Sequence, residues 1–203
     1  MRLSLNDRLN QILPRLTSEA FLSSEGIGNE IACYIFDYAP ECELQVRDHL
    51  AMVLGRLSSH HRTLNVLHLN MLDVVLAYLE GRGLLERTLQ IQAKKGDAGV
   101  LKALQGPLAP ERLRDFIESN HRPAERDLFL ISGMGSVWPM VHAHALLNCL
   151  HRIVGNTPLV MFFPGSFDGT NLKLFEQIDT ATATPGVKSY YRAFSLVSGG
   201  SHS

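Results

Sequence analysis

Residues 157–175 read TPLVMFFPGSFDGTNLKLF. Inside this stretch an apolar run, Leu159 to Phe163, stops at Pro164-Gly165, and a second turn pair, Asp168-Gly169, follows closely. An apolar run that does not alternate and is bounded by turn residues is the pattern of a strand buried on both faces, as in a parallel sheet. IACYIFDY (31–38) and DLFLISG (127–133) repeat it, and TLNVLHL (63–69) is a further strand candidate.

Helical patterns lie between these runs. Residues 4–22 place Leu5, Leu9, Ile12, Leu13 and Leu16 on one stripe, interrupted at Pro14 and closed by Gly26-Ile27-Gly28. Behind Pro40, residues 41–57 place Leu44, Leu50, Val53, Leu54 and Leu57 on one face. NMLDVVLAYLE continues from the second strand. Residues 84–120 predict two or three amphipathic helices broken at Gly96, Gly106-Pro107 and Pro110. A further helix is expected over 139–154, opening on Pro139 and closing at Gly155-Asn156. LKLF and SYYRAFSLV suit short strands at the end.

Buried strands alternating with helices predict an α/β fold: a mainly parallel open sheet with helices on both faces. This is a P-loop-type or Rossmann-like layer arrangement without a phosphate-binding loop. Residues 1–197 are expected to form one domain, with a helical insertion at about 84–120 and a disordered tail over 198–203.

Charge narrows the function classes. Lys and Arg number 19 against 20 Asp and Glu, so the basic excess of a phosphate-gripping protein is missing and direct DNA binding is not expected. Cys33, Cys42 and Cys149 are widely spaced and odd in number, which argues against a disulfide framework and fits a reducing cytoplasm. Neither a signal-peptide core nor a membrane-length apolar stretch is visible.

In open parallel sheets, ligands bind beyond the carboxyl ends of the strands. Asp37, Gly133 with Gly135, and Pro164 with Gly165 mark three such ends, and Asp168 and Arg192 complete a candidate pocket. Its chemistry is weak. Gly-Lys-Ser/Thr occurs nowhere, so no P-loop can form. A dinucleotide fingerprint starting at Gly133-Met134-Gly135 meets Trp138 where the third glycine should stand. Gly133 and Gly135 read more simply as turn glycines at positive φ. His142, His144 and His151 lack metal-binding spacing with a carboxylate. Ser136 fits a helix cap and Cys149 a core position better than either fits a nucleophile. Asp37, closing an apolar strand, needs a partner, and Arg192 in YYRAF is the expected one. No cofactor, metal or catalytic residue is assigned.

Four segments in order, IFDYAPECELQVRDHL, LISGMGSVWPMVHAHALLNCL, PLVMFFPGSFDGTNLKLF and YYRAF, resemble the BrxB family of bacterial BREX phage-defence systems. The likeness runs from about residue 5 to residue 197, with FFPGSFDG, the L-x-LF after it and YYRAF as its signatures. The resemblance implies a small non-catalytic component of a defence island. Such islands also encode a PglZ-type protein of the alkaline-phosphatase superfamily, an adenine-specific DNA methyltransferase and a large AAA+ ATPase. It further implies a role as interaction partner of another BREX protein, the PglZ-like one above all. Trp138, Phe167, Tyr190, Tyr191 and Arg192 are of the residue types that anchor interfaces, although core positions suit most of them as well. The alternative is a divergent nucleotide binder or enzyme working at the carboxyl edge of the sheet.

Overall fold

The computed structural model describes residues 3–23, 32–174, 177–178 and 192–197. A five-stranded sheet is its centre. It is built from β1 (Ala32–Tyr38), β2 (Val66–Asn70), β3 (Leu128–Ser132), β4 (Leu159–Pro164) and β8 (Arg192–Ser195). The strand order is β2-β3-β4-β1-β8, and every pairing is parallel. Three short strands, β5 (Ser166–Phe167), β6 (Leu172–Leu174) and β7 (Gln177–Ile178), form an antiparallel meander after β4.

Strand alternation divides the core in two. Tyr34, Phe36, Leu128, Leu130, Val160 and Phe162 face α1 (Leu5–Leu16), α2 (Glu19–Leu22) and α3 (Glu43–His60). Cys33, Ile35, Leu69, Ile131, Met161 and Phe163 face the other layer. That layer holds α4 (Met71–Gly81), α5 (Leu85–Leu104), α6 (Pro110–His121), α7 (Met134–Val137) and α8 (Ala143–Leu150). Both faces of the sheet are therefore covered, which is why the central strands carry unbroken apolar runs.

Several local expectations change. Pro14 does not interrupt α1, which runs on to Leu16; the hydrogen bond it gives up is the one to the carbonyl of Asn10, an exposed residue that water can serve instead. The buried stripe of α3 is Val46, Leu50, Val53 and Leu57, while Leu44 is 62% exposed. At 3.6 residues per turn Leu44 lies ~200° around the helix from Val46, so it cannot share that stripe. Pro139 does not open a helix. The chain makes the single turn α7 straight after Gly133, is extended at Trp138 before the proline, and resumes as α8 after His142. Gly96 breaks α5 as expected, at φ +63°. The tail over 198–203 and the Gly26-Ile27-Gly28 break lie outside the described residues.

Glycines near the end of β4 work by space as much as by angle. Gly165 has no positive φ; a Cβ there would fall on the Lys173 carbonyl of β6 and the Phe163 ring. By contrast a Cβ added at Gly55, in the middle of α3, would meet nothing within 4 Å. Gly55→Ala should raise stability by about 0.5–1 kcal/mol, because alanine orders more cheaply in a helix. Gly165→Ala should lower the melting temperature, since backbone must move to admit it. Thermal unfolding of the two variants side by side checks both signs.

Candidate functional site

The candidate crevice lies between β1 and β4. After β1 the chain passes to the α3 face; after β4 it turns to the opposite face, where Leu172 and Leu174 join the other core. Adjacent strands whose continuations leave on opposite sides define the place where open α/β sheets bind ligands. The register sets Tyr38 beside Pro164 and Asp37 beside Phe163, so the carboxyl ends of both strands meet here.

Asp37 sits in that crevice, and the protein itself occupies both carboxylate oxygens. Oδ1 accepts from Arg8 Nη2 at 2.6 Å, and Oδ2 accepts from the Phe167 backbone N–H at 3.2 Å. The Arg8 guanidinium lies 4.8 Å from the centre of the Phe36 ring. Side-chain exposures of 14% for Arg8 and 20% for Asp37 make this a half-buried pair, strengthened by loss of water around it. One carboxylate thus ties β1, α1 and the β5 turn together. Beside it, the Tyr38 hydroxyl donates to Glu43 Oε2 at 2.6 Å, and burial followed by that carboxylate raises the phenol's pKa.

The expected partner of Asp37 was Arg192, and the register corrects this. Arg192 pairs with Ala32, at the amino end of β1, five residues before Asp37. At about 3.3 Å per residue the two backbones are ~16 Å apart along the strands, beyond the reach of an ion pair. Arg8 was missed, although a signal existed: it shares the apolar stripe of α1 with Leu5, Leu9 and Ile12. A charged residue on a buried stripe needs a buried counter-charge. The side chain of Arg192, and Tyr190 and Tyr191 altogether, lie outside the described residues.

The other candidates divide. Gly133 does take positive φ, +74°, and its missing Cβ makes room for the Asn70 side chain, which caps α4 through the Leu72 N–H at 3.0 Å. Gly135 is helical instead; a Cβ would come within 2.9 Å of Pro164 Cγ, so that glycine lets α7 close onto the end of β4. Ser136 lies inside α7 rather than capping it. Asp168 is exposed at the tip of the β5–β6 turn. Oδ1 accepts the Asn171 and Thr170 N–H groups at 2.7 and 2.9 Å, which hold its carboxyl below the usual range. Gly169, at φ +93°, completes that turn. Trp138 and Phe167 are partly buried against the α4–α8 core. Burial pushes the Cys33 thiol up to about 12 and raises Cys149 as well, so neither is a ready thiolate. Among the described residues, no group of three His, Cys, Asp or Glu could hold a metal ion.

One contact near the strand ends has no signal in the sequence. His68 Nε2 on β2 lies 2.9 Å from Ser132 Oγ on β3, and burial lowers the imidazole's pKa, with Asp73 opposing the shift. The two residues are 64 positions apart and become neighbours only through strand pairing.

These features define a class: an open parallel α/β protein whose switch point carries its own ion pair and its own turn. A family model described as "BREX protein BrxB" matches residues 67–196. The chain is 40% identical over 193 residues to the BREX protein BrxB of Escherichia coli O9:H4 (strain HS), covering 95% of this chain and 92% of the relative. It is 37% identical over 195 residues to the BREX protein BrxB of Bacillus cereus (strain H3081.97), covering 95% and 97%. The chain belongs to the BrxB family. No solved structure matches it.

Asp37→Ala should cost about 1–3 kcal/mol, because it strands a half-buried guanidinium and a backbone N–H together. Urea unfolding of Asp37→Ala, Arg8→Met and the double variant measures this, and a double variant no worse than either single one shows the coupling. Burial also lowers the pKa of His49 and His121, as it does that of His68. For each, the unfolded chain binds protons more readily, so stability should be full above pH ~6.5 and fall as pH drops below it. His68→Gln should flatten that slope in melting temperature against pH.

Proposed function

We propose that this chain is a non-enzymatic component of a BREX system, working as an assembly partner of another BREX protein. The PglZ-like protein of the alkaline-phosphatase superfamily is the expected partner, on the strength of the resemblance. One observation carries the reading. Where a fold of this type would bind a small molecule, both oxygens of Asp37 are taken, one by Arg8 and one by the Phe167 N–H. A chain with that carboxylate taken retains its surface as its working part. Membership in a family whose relatives bear the name BREX protein supplies the setting. Among the described residues no helix is long and apolar enough to cross a membrane, which is compatible with work in the cytoplasm beside DNA-handling partners.

The competing reading, an enzyme or nucleotide binder at the sheet edge, draws on the His68–Ser132 contact. A neutral imidazole touching a serine hydroxyl is half of a nucleophile arrangement. Against it, the two side chains bridge neighbouring strands just as a structural hydrogen bond would.

The test is purification of the tagged chain from cells expressing its whole gene neighbourhood. Co-purification of the PglZ-like protein, with no labelling of Ser132 by a fluorophosphonate probe, is the expected result. Labelling of Ser132, or a nucleotide-induced rise in melting temperature abolished by Asp37→Ala, would overturn it.

A further inference from the structure

The far side of the sheet ends in β2, which among the described residues pairs with β3 alone. Sheet edges are normally guarded by charges, proline, bulges or a cover, because unpaired backbone groups recruit other strands. The β2 sequence, VLHLN, has no proline and no Asp, Glu, Lys or Arg. Asn65 shows which of its backbone groups point outward. Its N–H donates to Asp127 Oδ2 at 2.7 Å and its carbonyl accepts the Asp127 N–H at 3.0 Å, so both face β3. Backbone groups switch sides with each residue along a strand, which leaves the N–H and C=O of Val66 and His68 pointing away from the sheet.

Beside this edge runs an open groove of about 510 Å³, between the last turns of α3 and the segment entering β2. Leu54, Leu57, Leu64 and Val66 make its apolar floor, and Arg62 and Thr63 stand on its rim. No carboxylate lines it. Arg62 Nε donates to the Ser59 carbonyl at 3.3 Å. Arg126, at the end marked by Asn65, donates to Asn65 Oδ1 at 2.9 Å and to the His121 carbonyl at 3.0 Å. Both guanidiniums are held by neutral oxygens, and neither forms an ion pair among the described residues. The nearby carboxylates are engaged elsewhere, Asp127 by the Asn65 N–H and Glu125 by Arg122.

We propose that β2 and this groove form a docking edge for an extended segment of another protein, one that carries an acidic residue among alternating apolar ones. Its backbone would continue the sheet beyond β2, pairing with the outward groups of Val66 and His68. Apolar side chains on one face of the added strand enter the groove over Leu54 and Leu64. The carboxylate meets Arg62, supplying the counter-charge that the chain itself lacks there. A second copy of this chain is a poorer occupant, because its own VLHLN edge offers no carboxylate. The inference rests on the reading of the chain as an assembly component and names the surface through which it assembles.

Overlapping peptides tiled across the other proteins of the BREX gene neighbourhood are the probe, with binding read by fluorescence anisotropy. Two variants separate edge from charge. Arg62→Glu reverses an exposed charge, and Val66→Pro removes an outward N–H where an edge strand tolerates proline. An acidic, apolar-alternating peptide should bind the wild-type chain, lose about tenfold or more to Arg62→Glu, and recover when its acidic residue is changed to lysine. Val66→Pro should abolish binding; because Val66 also packs on the core, its melting temperature is read alongside, and if that variant unfolds, the charge-swap pair decides alone. Equal binding to wild type and Arg62→Glu, or no peptide bound, sinks the docking edge. So does light scattering that shows a wild-type dimer dispersed by Val66→Pro, since the edge would then take a second copy. Co-purification in parallel keeps the two readings apart. A partner that stays with both variants removes this surface and leaves the assembly role standing; no partner with the wild-type chain removes both.

Discussion

The parallel pairing of β1 with β4 is the constraint on which the rest of the molecule depends. It joins segments more than a hundred residues apart and runs in unbroken register from Cys33 beside Leu159 to Tyr38 beside Pro164. Because of it, the two longest apolar runs share one central sheet and each of its faces acquires a core. It also brings Asp37 to the point where the β5 turn doubles back. The carboxylate then finds the Arg8 side chain from one direction and the Phe167 N–H from another. A half-buried carboxylate at a strand end is costly unless satisfied, and here it is satisfied from segments that β1 and β4 alone would not join.

The consequence is a familiar layer architecture whose strand ends are crowded by the chain's own contacts. Where a dinucleotide fold would keep a third glycine for close helix packing, this chain has Trp138, partly buried against the core. Gly135 lets α7 rest on Pro164, and Gly165 lets β4 and β6 touch, so the space at the strand ends is used for packing. Fold alone does not dictate activity. The partner role proposed for this chain draws on an Asp37 carboxylate already taken by Arg8 and the Phe167 N–H, on a β2 that pairs with β3 alone among the described residues, and on membership in a family of BREX proteins.

Much of this is legible in the residues, and the misses share a cause. Apolar runs such as LVMFF and YIF announce buried strands because burial on both faces removes any need for alternation. Turn chemistry at Asp168-Gly169 and the break at Gly96 are legible because they depend on the local backbone only. Leu44 misleads because leucine is apolar wherever it points, and only the phase of the helix relative to the sheet exposes it. Gly135 and Gly165 look like angular devices, yet each is needed for what approaches it in space. Arg192 looks like the partner of Asp37 because a carboxylate closing an apolar strand needs a cation; the register of β8 on β1 places the two at opposite ends.

The amino-acid sequence by itself determined the element types, the doubly covered parallel sheet and the family, since these follow from local periodicity, turn residues and short diagnostic strings. Tertiary structure alone decided the strand order, the pairing of Arg8 with Asp37 and the contact of His68 with Ser132, separated by 64 residues. It also decided that β2 stands at an edge with a groove beside it. Periodicity reports which face of an element is buried, but not against what. The identity of a polar group's partner, and the exposure of a strand's flank, depend on register and order, which are set by packing across the whole chain.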